Sequence, residues 1–152
     1  MSTYSFGPHV IRKSEVFYQS KLSLGLVNLK PIVPGHVLVI SRRVVPRFTE
    51  LSSEEVSDLW VSAQTVAKVI EKEYNAESLT FAIQDGYAAG QTVPHVHIHI
   101  LPRRKNDFAR NDDIYHELER VKMDDEYRHP RSQEDMATEA SKLRKLFPQI
   151  FQ

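Results

Sequence analysis

The chain has no cysteine, a single tryptophan and no excess of charge: 20 Lys and Arg are matched by 20 Asp and Glu across 152 residues. Without cysteine there is no disulfide framework, no thiolate nucleophile and no cysteine-ligated zinc. The balanced charge excludes the broad positive field of a protein built to sit on nucleic acid. No run approaches the roughly 18 consecutive apolar residues that a membrane span needs. The opening Met1-Ser2-Thr3-Tyr4-Ser5-Phe6 has no basic region followed by an apolar stretch, so no secretory leader is expected. The expectation is a soluble intracellular globule, cytoplasmic and also compatible with the nucleus, forming one domain over residues 1–152 with a single core.

Composition separates a body from a tail. All five glycines fall within residues 1–102, where apolar side chains recur periodically. Residues 103–131 carry eight basic and eight acidic side chains with little apolar periodicity, which reads as a mobile charged loop. In the body, Leu22–Asn28 and His36–Ser41 read as antiparallel strands joined by the turn residues of Lys30-Pro31 and Pro34-Gly35, a pairing that sets Asn28 beside His36. A helix is expected over about 53–74, where Ser52 and Glu55 form a capping box and Val56, Leu59, Trp60, Ala63, Val66, Ala67 and Ile70 keep helical period. Strands Ser78–Gln84 and His95–Leu101 follow, then a closing helix over 132–147 that presents Met136, Ala140, Leu143 and Phe147 on one side. The whole reads as α+β, with an antiparallel sheet of about five strands, one long helix and a C-terminal helix.

Period two matters most in the last strand. Val96, Ile98 and Ile100 point one way, and His95, His97 and His99 the other, together with Gln84 of the preceding strand. Imidazoles at alternate positions stand about 6.5–7 Å apart along a strand. Three readings of the row compete. Structural histidines at a sheet rim are the blandest, and three on one face weaken it, since each buried ring needs polar partners. A zinc site with His36 as a further ligand fits the spacing, although no carboxylate is evident nearby to orient the rings. Covalent catalysis at phosphorus fits too: a neutral imidazole attacks, and flanking donors hold phosphate oxygens and meet the leaving group. Gly86 and Gly90 before Gln91-Thr92 superficially suggest a phosphate loop, but the Gly-Lys-Ser/Thr that such a loop requires is missing.

His95-Val96-His97-Ile98-His99-Ile100-Leu101 resembles the His-φ-His-φ-His-φ-φ signature of the histidine-triad nucleotide hydrolases, with Gly90-Gln91-Thr92-Val93 just before it. The resemblance runs through Asn28-x-x-Pro31-x-x-Pro34-Gly35-His36, Ser78-Leu79-Thr80-Phe81, Gln84-Asp85-Gly86 and Leu101-Pro102-Arg103. It continues into Asp107-Phe108-x-Arg110-Asn111-Asp112-x-Ile114-Tyr115, so that about 4–147 looks like the fragile-histidine-triad branch. Transferase relatives carry glutamine where this chain has His99, and phosphoramidase-type relatives follow the triad with Leu-Gly-Gly and end in Trp-Pro-Pro-Gly. The chain therefore resembles the dinucleoside polyphosphate hydrolases most.

The resemblance implies the fold of that family and the hydrolysis of diadenosine triphosphate and related adenosyl polyphosphates to AMP and ADP. His97 would be the nucleophile that carries AMP, His99 would contact the α-phosphate and leaving oxygen, and His95 and His36 would support them. Gln84 would hold phosphate oxygens, with Gly90, Gln91, Thr92 and Val93 along the polyphosphate, Asn28 near the ribose and His9 at the base site. Phe6, Ile11, Leu26 and Leu38 suit an adenine slot and suit ordinary core equally well. Adenylyl sulfate and adenylyl phosphoramidates are further substrates by the same implication, and a slowly turning over nucleotide-binding signalling module is the alternative beside the zinc hydrolase. The family implies a homodimer, a magnesium or manganese ion travelling with the polyphosphate, no organic cofactor, and a regulatory tyrosine at Tyr115. No nucleic-acid or membrane partner is expected.

Overall fold

The computed structural model describes residues 3–123 and 129–147. Five strands form an antiparallel sheet in the order β3-β4-β5-β7-β6, namely β3 (Val16–Gln19), β4 (Ser23–Val27), β5 (Val37–Ser41), β7 (His97–Arg103) and β6 (Ser78–Ala82). Two further strands, β1 (Thr3–Phe6) and β2 (His9–Arg12), form a separate hairpin. Helices are α1 (Ser53–Glu73), α2 (Asp113–Met123) and α3 (Gln133–Arg144). This is the α+β architecture that the sequence pattern implied. No helix among the described residues is long and apolar enough to cross a membrane.

Alternation along the central strands divides the apolar residues into two groups. Val27, Val37, Val39, Ile98 and Ile100 turn towards α1 and α3 and form the main core with Leu59, Ala63, Val66, Ile70, Met136, Ala140 and Leu143. Leu24, Leu26, Leu38 and Ile40 point from the opposite face, where Phe6 of the hairpin packs on them. Helix α1 begins where the capping box was expected: Ser52 Oγ accepts from the Glu55 amide at 3.1 Å and Glu55 Oε1 from the Ser52 amide at 2.8 Å. Hydrogen bonds from Arg43 hold the Glu55 carboxyl down at about 2, so it stays ionised in this role. The Pro34-Gly35 turn needs glycine twice over. Its φ is +84°, and a Cβ there would lie 2.7 Å from the Tyr74 ring.

Several boundaries differ from the pattern. The last strand starts at His97, two residues late, because the His95 amide bonds Val93 O (2.8 Å) and the Val96 amide bonds Val45 O (2.8 Å) instead of joining the ladder. Strand β6 stops at Ala82, so Gln84 lies beyond it. Trp60, which keeps the apolar period of α1, and Phe81 are 39% and 42% exposed and sit side by side at 6.5 Å. Strands β1, β2 and β3 were not anticipated.

The largest correction concerns 103–131. Within the stretch read as a mobile charged loop, α2 forms and buries Ile114 and Leu118. Arg103 is the reason. Its nearly buried guanidinium bonds both oxygens of Asp107 (2.7 and 3.0 Å), Thr80 Oγ1 (3.1 Å) and Asn111 Oδ1 (3.0 Å), with Phe108 stacked at 5.2 Å. Composition counts charges but does not show that they pair. The closing helix is capped by Ser132, which accepts from the Asp135 amide at 3.0 Å, and residues 148–152 lie outside the described residues.

Ser52→Ala should cost about 1 kcal/mol of stability in urea denaturation, and Ser52→Asp should recover most of it. An unchanged midpoint for Ser52→Ala would mean that the cap contributes nothing to α1.

Candidate active site

The face of the sheet opposite α1 carries a cavity of about 810 Å³. Strand β7 sets its floor by register: His97 pairs with Ile40 and His99 with Leu38, so both imidazoles stand on the same side as those aliphatic chains. The hairpin forms a roof, and Phe6, Ile11, Leu26 and Leu38 line an apolar slot between roof and floor. Asn28, His36 and Gln84 line the cavity near the histidines, as do Gly90, Thr92 and Val93 of the preceding loop, and His9 lines it from the hairpin.

The partner of each ring nitrogen assigns the tautomers. His97 Nδ1 lies 2.6 Å from the His95 carbonyl, so it must donate, which leaves Nε2 with its lone pair free. A second chain of bonds starts at the backbone. The Ile32 amide donates to His36 Nδ1 (3.0 Å), so the His36 proton is on Nε2 and is directed at His99 Nδ1, 3.0 Å away. The His99 proton is thereby placed on Nε2. That nitrogen is buried and has no hydrogen-bond partner among the described residues. The rings of His97 and His99 meet edge to face with centroids 5.0 Å apart, so the ring that bears the lone pair neighbours the ring that bears the N–H.

Burial keeps these rings neutral. Loss of solvent pushes His97 down from 6.5 to about 4, against the opposing pull of the His95 carbonyl. His99 is held well below the usual imidazole value by burial and then by its two histidine neighbours, and His95 is lowered by burial. A site with one neutral acceptor and one neutral donor, both desolvated, is suited to attack at an electrophilic centre whose oxygens need a hydrogen bond.

Two expected site residues lie outside the cavity. Gln91 directs its amide into its own loop: Oε1 accepts from the Gly86 amide at 2.7 Å, and Nε2 donates to Pro46 O (2.8 Å) and Val93 O (3.0 Å). Its side chain braces the loop. His95 is fully buried behind the wall, with both ring nitrogens on backbone partners. Asn28 does neighbour His36, its Nδ2 within 3.1 Å of the ring, while its Oδ1 accepts from the Lys30 amide at 3.2 Å.

Arg131 was missed. It lines the cavity, donates to the Asn28 carbonyl from Nε (3.1 Å) and Nη2 (2.6 Å), and pairs with Glu139 at 2.8 Å, whose carboxylate also accepts from the Tyr74 hydroxyl. A contact spanning 103 residues of sequence leaves no local signal. Among the described residues, no three His, Asp or Glu side chains converge as metal ligands. In the assigned tautomers the row is not set as a zinc site: His97 Nε2 offers a lone pair, but both His95 nitrogens bond backbone groups, His36 Nδ1 accepts from the Ile32 amide, and His99 Nε2 carries a proton.

The family model for the HIT domain matches residues 11–106. The bis(5'-adenosyl)-triphosphatase of Dictyostelium discoideum is 55% identical over 147 residues, covering 97% of this chain and 95% of the relative. The bifunctional bis(5'-adenosyl)-triphosphatase/adenylylsulfatase FHIT of Arabidopsis thaliana is 55% identical over 153 residues, covering 96% of this chain and 85% of its own. Among solved structures, the Plasmodium falciparum diadenosine triphosphate hydrolase in complex with Cyclomarin A superposes with a TM-score of 0.80 at 34% identity, covering all of this chain and 88% of that one.

Long-range ¹H–¹⁵N spectra should report His97 as the Nδ1–H tautomer and His99 as Nε2–H. Neither ring should titrate between pH 8 and 5.5, where an ordinary imidazole of pKa about 6.5 would take up its proton. A His97 signal that titrates near 6.5 would contradict the burial that the site depends on.

Proposed function

The chain belongs to the HIT domain family, and from its site we propose that it hydrolyses diadenosine triphosphate and related adenosyl polyphosphates to AMP and ADP, with His97 as the nucleophile. The observation that carries the reading is the juxtaposition of the His97 Nε2 lone pair with the unpartnered His99 Nε2–H. The apolar slot takes the adenine, and Asn28 and His9 lie along the nucleoside. His97 Nε2 attacks the α-phosphorus; a P–N bond forms, the P–O bond to the β-phosphate breaks, and its electron pair leaves with ADP. No proton has to leave His97 first. As its ring becomes cationic, the hydrogen bond from Nδ1–H to the His95 carbonyl strengthens. His99 Nε2–H donates to the α-phosphate or the departing oxygen. Water then cleaves the P–N bond, returning the electron pair to Nε2 and releasing AMP and a proton.

The same attack opens adenylyl sulfate and adenylyl phosphoramidates, since only the leaving group changes; the bifunctional name of the Arabidopsis relative supports the first of these. A magnesium or manganese ion would be held by the polyphosphate, because the described residues supply no converging ligand set. We further infer a homodimer across the β6 edge. That strand has a neighbour on one side only, and the exposed Trp60 and Phe81 rings leave an apolar patch beside it.

Mixing with diadenosine triphosphate and quenching within milliseconds to seconds in mild alkali should trap AMP on the peptide that contains His97, with ADP released. His97→Asn should bind the substrate and lower turnover by at least 10³-fold, on the order expected for a missing nucleophile. Hydrolysis by His97→Asn at the wild-type rate would remove the covalent mechanism. The acid limb of kcat/KM should fall near pH 4–5 in place of 6.5, because His97 stays neutral down to about 4.

Sedimentation should give twice 17.6 kDa for the wild type, and the monomer mass for Trp60→Glu combined with Phe81→Glu. A wild-type monomer at micromolar concentration would refute the β6 interface.

A further inference from the structure

We propose that His95 is a positioning residue whose side chain latches the β1–β2 hairpin closed over the nucleotide cavity, with its ring taking no part in the chemistry. The inference rests on the proposed nucleotide reaction only in what the cavity holds.

The hairpin is poorly tied to the body. Strands β1 and β2 hydrogen-bond to each other and not to the five-stranded sheet. An isolated two-stranded hairpin is at best marginally stable in water. Yet it supplies Phe6, His9, Val10, Ile11 and Arg12 to the cavity wall, so its position sets the width of the slot. At its turn, the Gly7 amide donates to His95 Nδ1 at 3.0 Å. On the other side of the ring, His95 Nε2–H donates to the Ser41 carbonyl at 2.6 Å, at the end of β5. A single buried imidazole therefore joins the tip of the hairpin to the sheet. Both of its nitrogens are used, and it does not line the cavity.

The surrounding packing is consistent with this. The Phe6 ring lies 5.5 Å from the His95 ring and 5.0 Å, edge on, from that of His97, so the latch also sets the contact between roof and nucleophile. Gly7 has φ +58°, and a Cβ would lie 2.8 Å from Val93 Cγ1, so the turn sits directly on the loop before the triad. At the other end of the hairpin, Arg12 bonds the Gln133 side chain. Burial lowers the His95 pKa and so keeps Nδ1 available as an acceptor at neutral pH. Within one residue the tasks divide: the carbonyl orients His97, and the ring holds the roof.

Asparagine places an amide near the position of imidazole Nδ1, and glutamine near that of Nε2. His95→Gln keeps a donor for Ser41 and leaves the Gly7 amide without an acceptor; His95→Asn does the reverse. Hydrogen exchange over residues 4–12 and steady-state kinetics with diadenosine triphosphate separate the two. One buried hydrogen bond is worth about two- to twelvefold in an equilibrium. His95→Gln should therefore speed hairpin exchange by that factor and raise KM similarly, with a smaller fall in kcat, while His95→Asn keeps the hairpin protected. Unchanged hairpin exchange in His95→Gln, or equal acceleration in both variants, would overturn the latch. Should both variants fail to fold, the wild type decides: an N–N coupling across the Gly7–His95 hydrogen bond supports the latch, and its absence refutes it. The exchange and coupling readouts need no turnover, so failure of the hydrolase reading would show separately as an inactive wild type.

Discussion

A β-strand turns successive side chains to opposite faces, and here the central strand β7 lies between two unlike environments. Ile98 and Ile100 are fully buried in the main core beneath α1, while His97 and His99 face the cavity. A slip of one residue would exchange the two sets, driving imidazoles into the aliphatic core and exposing isoleucines to the cavity. Each unpaired imidazole in that core would cost several times the thermal energy, so the hydrophobic core itself fixes the register of the histidines. The floor of the site is as rigid as the packing beneath it.

Burial then decides the chemistry. A ring removed from water must satisfy each polar nitrogen or carry the penalty, and here backbone groups satisfy nearly all of them. The Ser41 and His95 carbonyls take protons, and the Gly7 and Ile32 amides give them. The backbone cannot change its protonation state, so it fixes the tautomer of every ring it touches, directly for His95, His97 and His36 and at one remove for His99. What remains is one lone pair and one N–H, both on the cavity side. The neutral state of His97 and that of His99 have a single first cause: both rings are buried at the floor of the cavity.

The edge of the site is built differently, by charge. Residues 11–106 match the HIT domain model, yet part of the cavity wall comes from beyond them, including Leu118, Arg131 and Met136. Two arginines, one buried and one half-buried, bring that region in. Arg103 organises the segment leading to α2, and Arg131 ties the start of α3 to the Asn28 carbonyl. Each spends its guanidinium on several acceptors at once, the condition under which a buried ion pair avoids leaving charge unsatisfied.

The sequence alone determined whatever depends on neighbours along the chain. Period two put Ile98 and Ile100 opposite His97 and His99, Ser52 and Glu55 marked the start of α1, and Ser132 marked that of α3; each is a local hydrogen bond or a local repeat. The four apolar slot residues could be nominated, but core and slot could not be told apart until the hairpin was seen to roof them. Tertiary structure alone decided the rest. That Gln91 braces a loop, that the charged tract folds around Arg103, that Arg131 reaches Asn28 and that His95 reaches Gly7 all depend on contacts between residues far apart in sequence. Such contacts follow from the folded path of the chain. Neither composition nor spacing encodes which of eight acids and eight bases in residues 103–131 will be neighbours once that path is set.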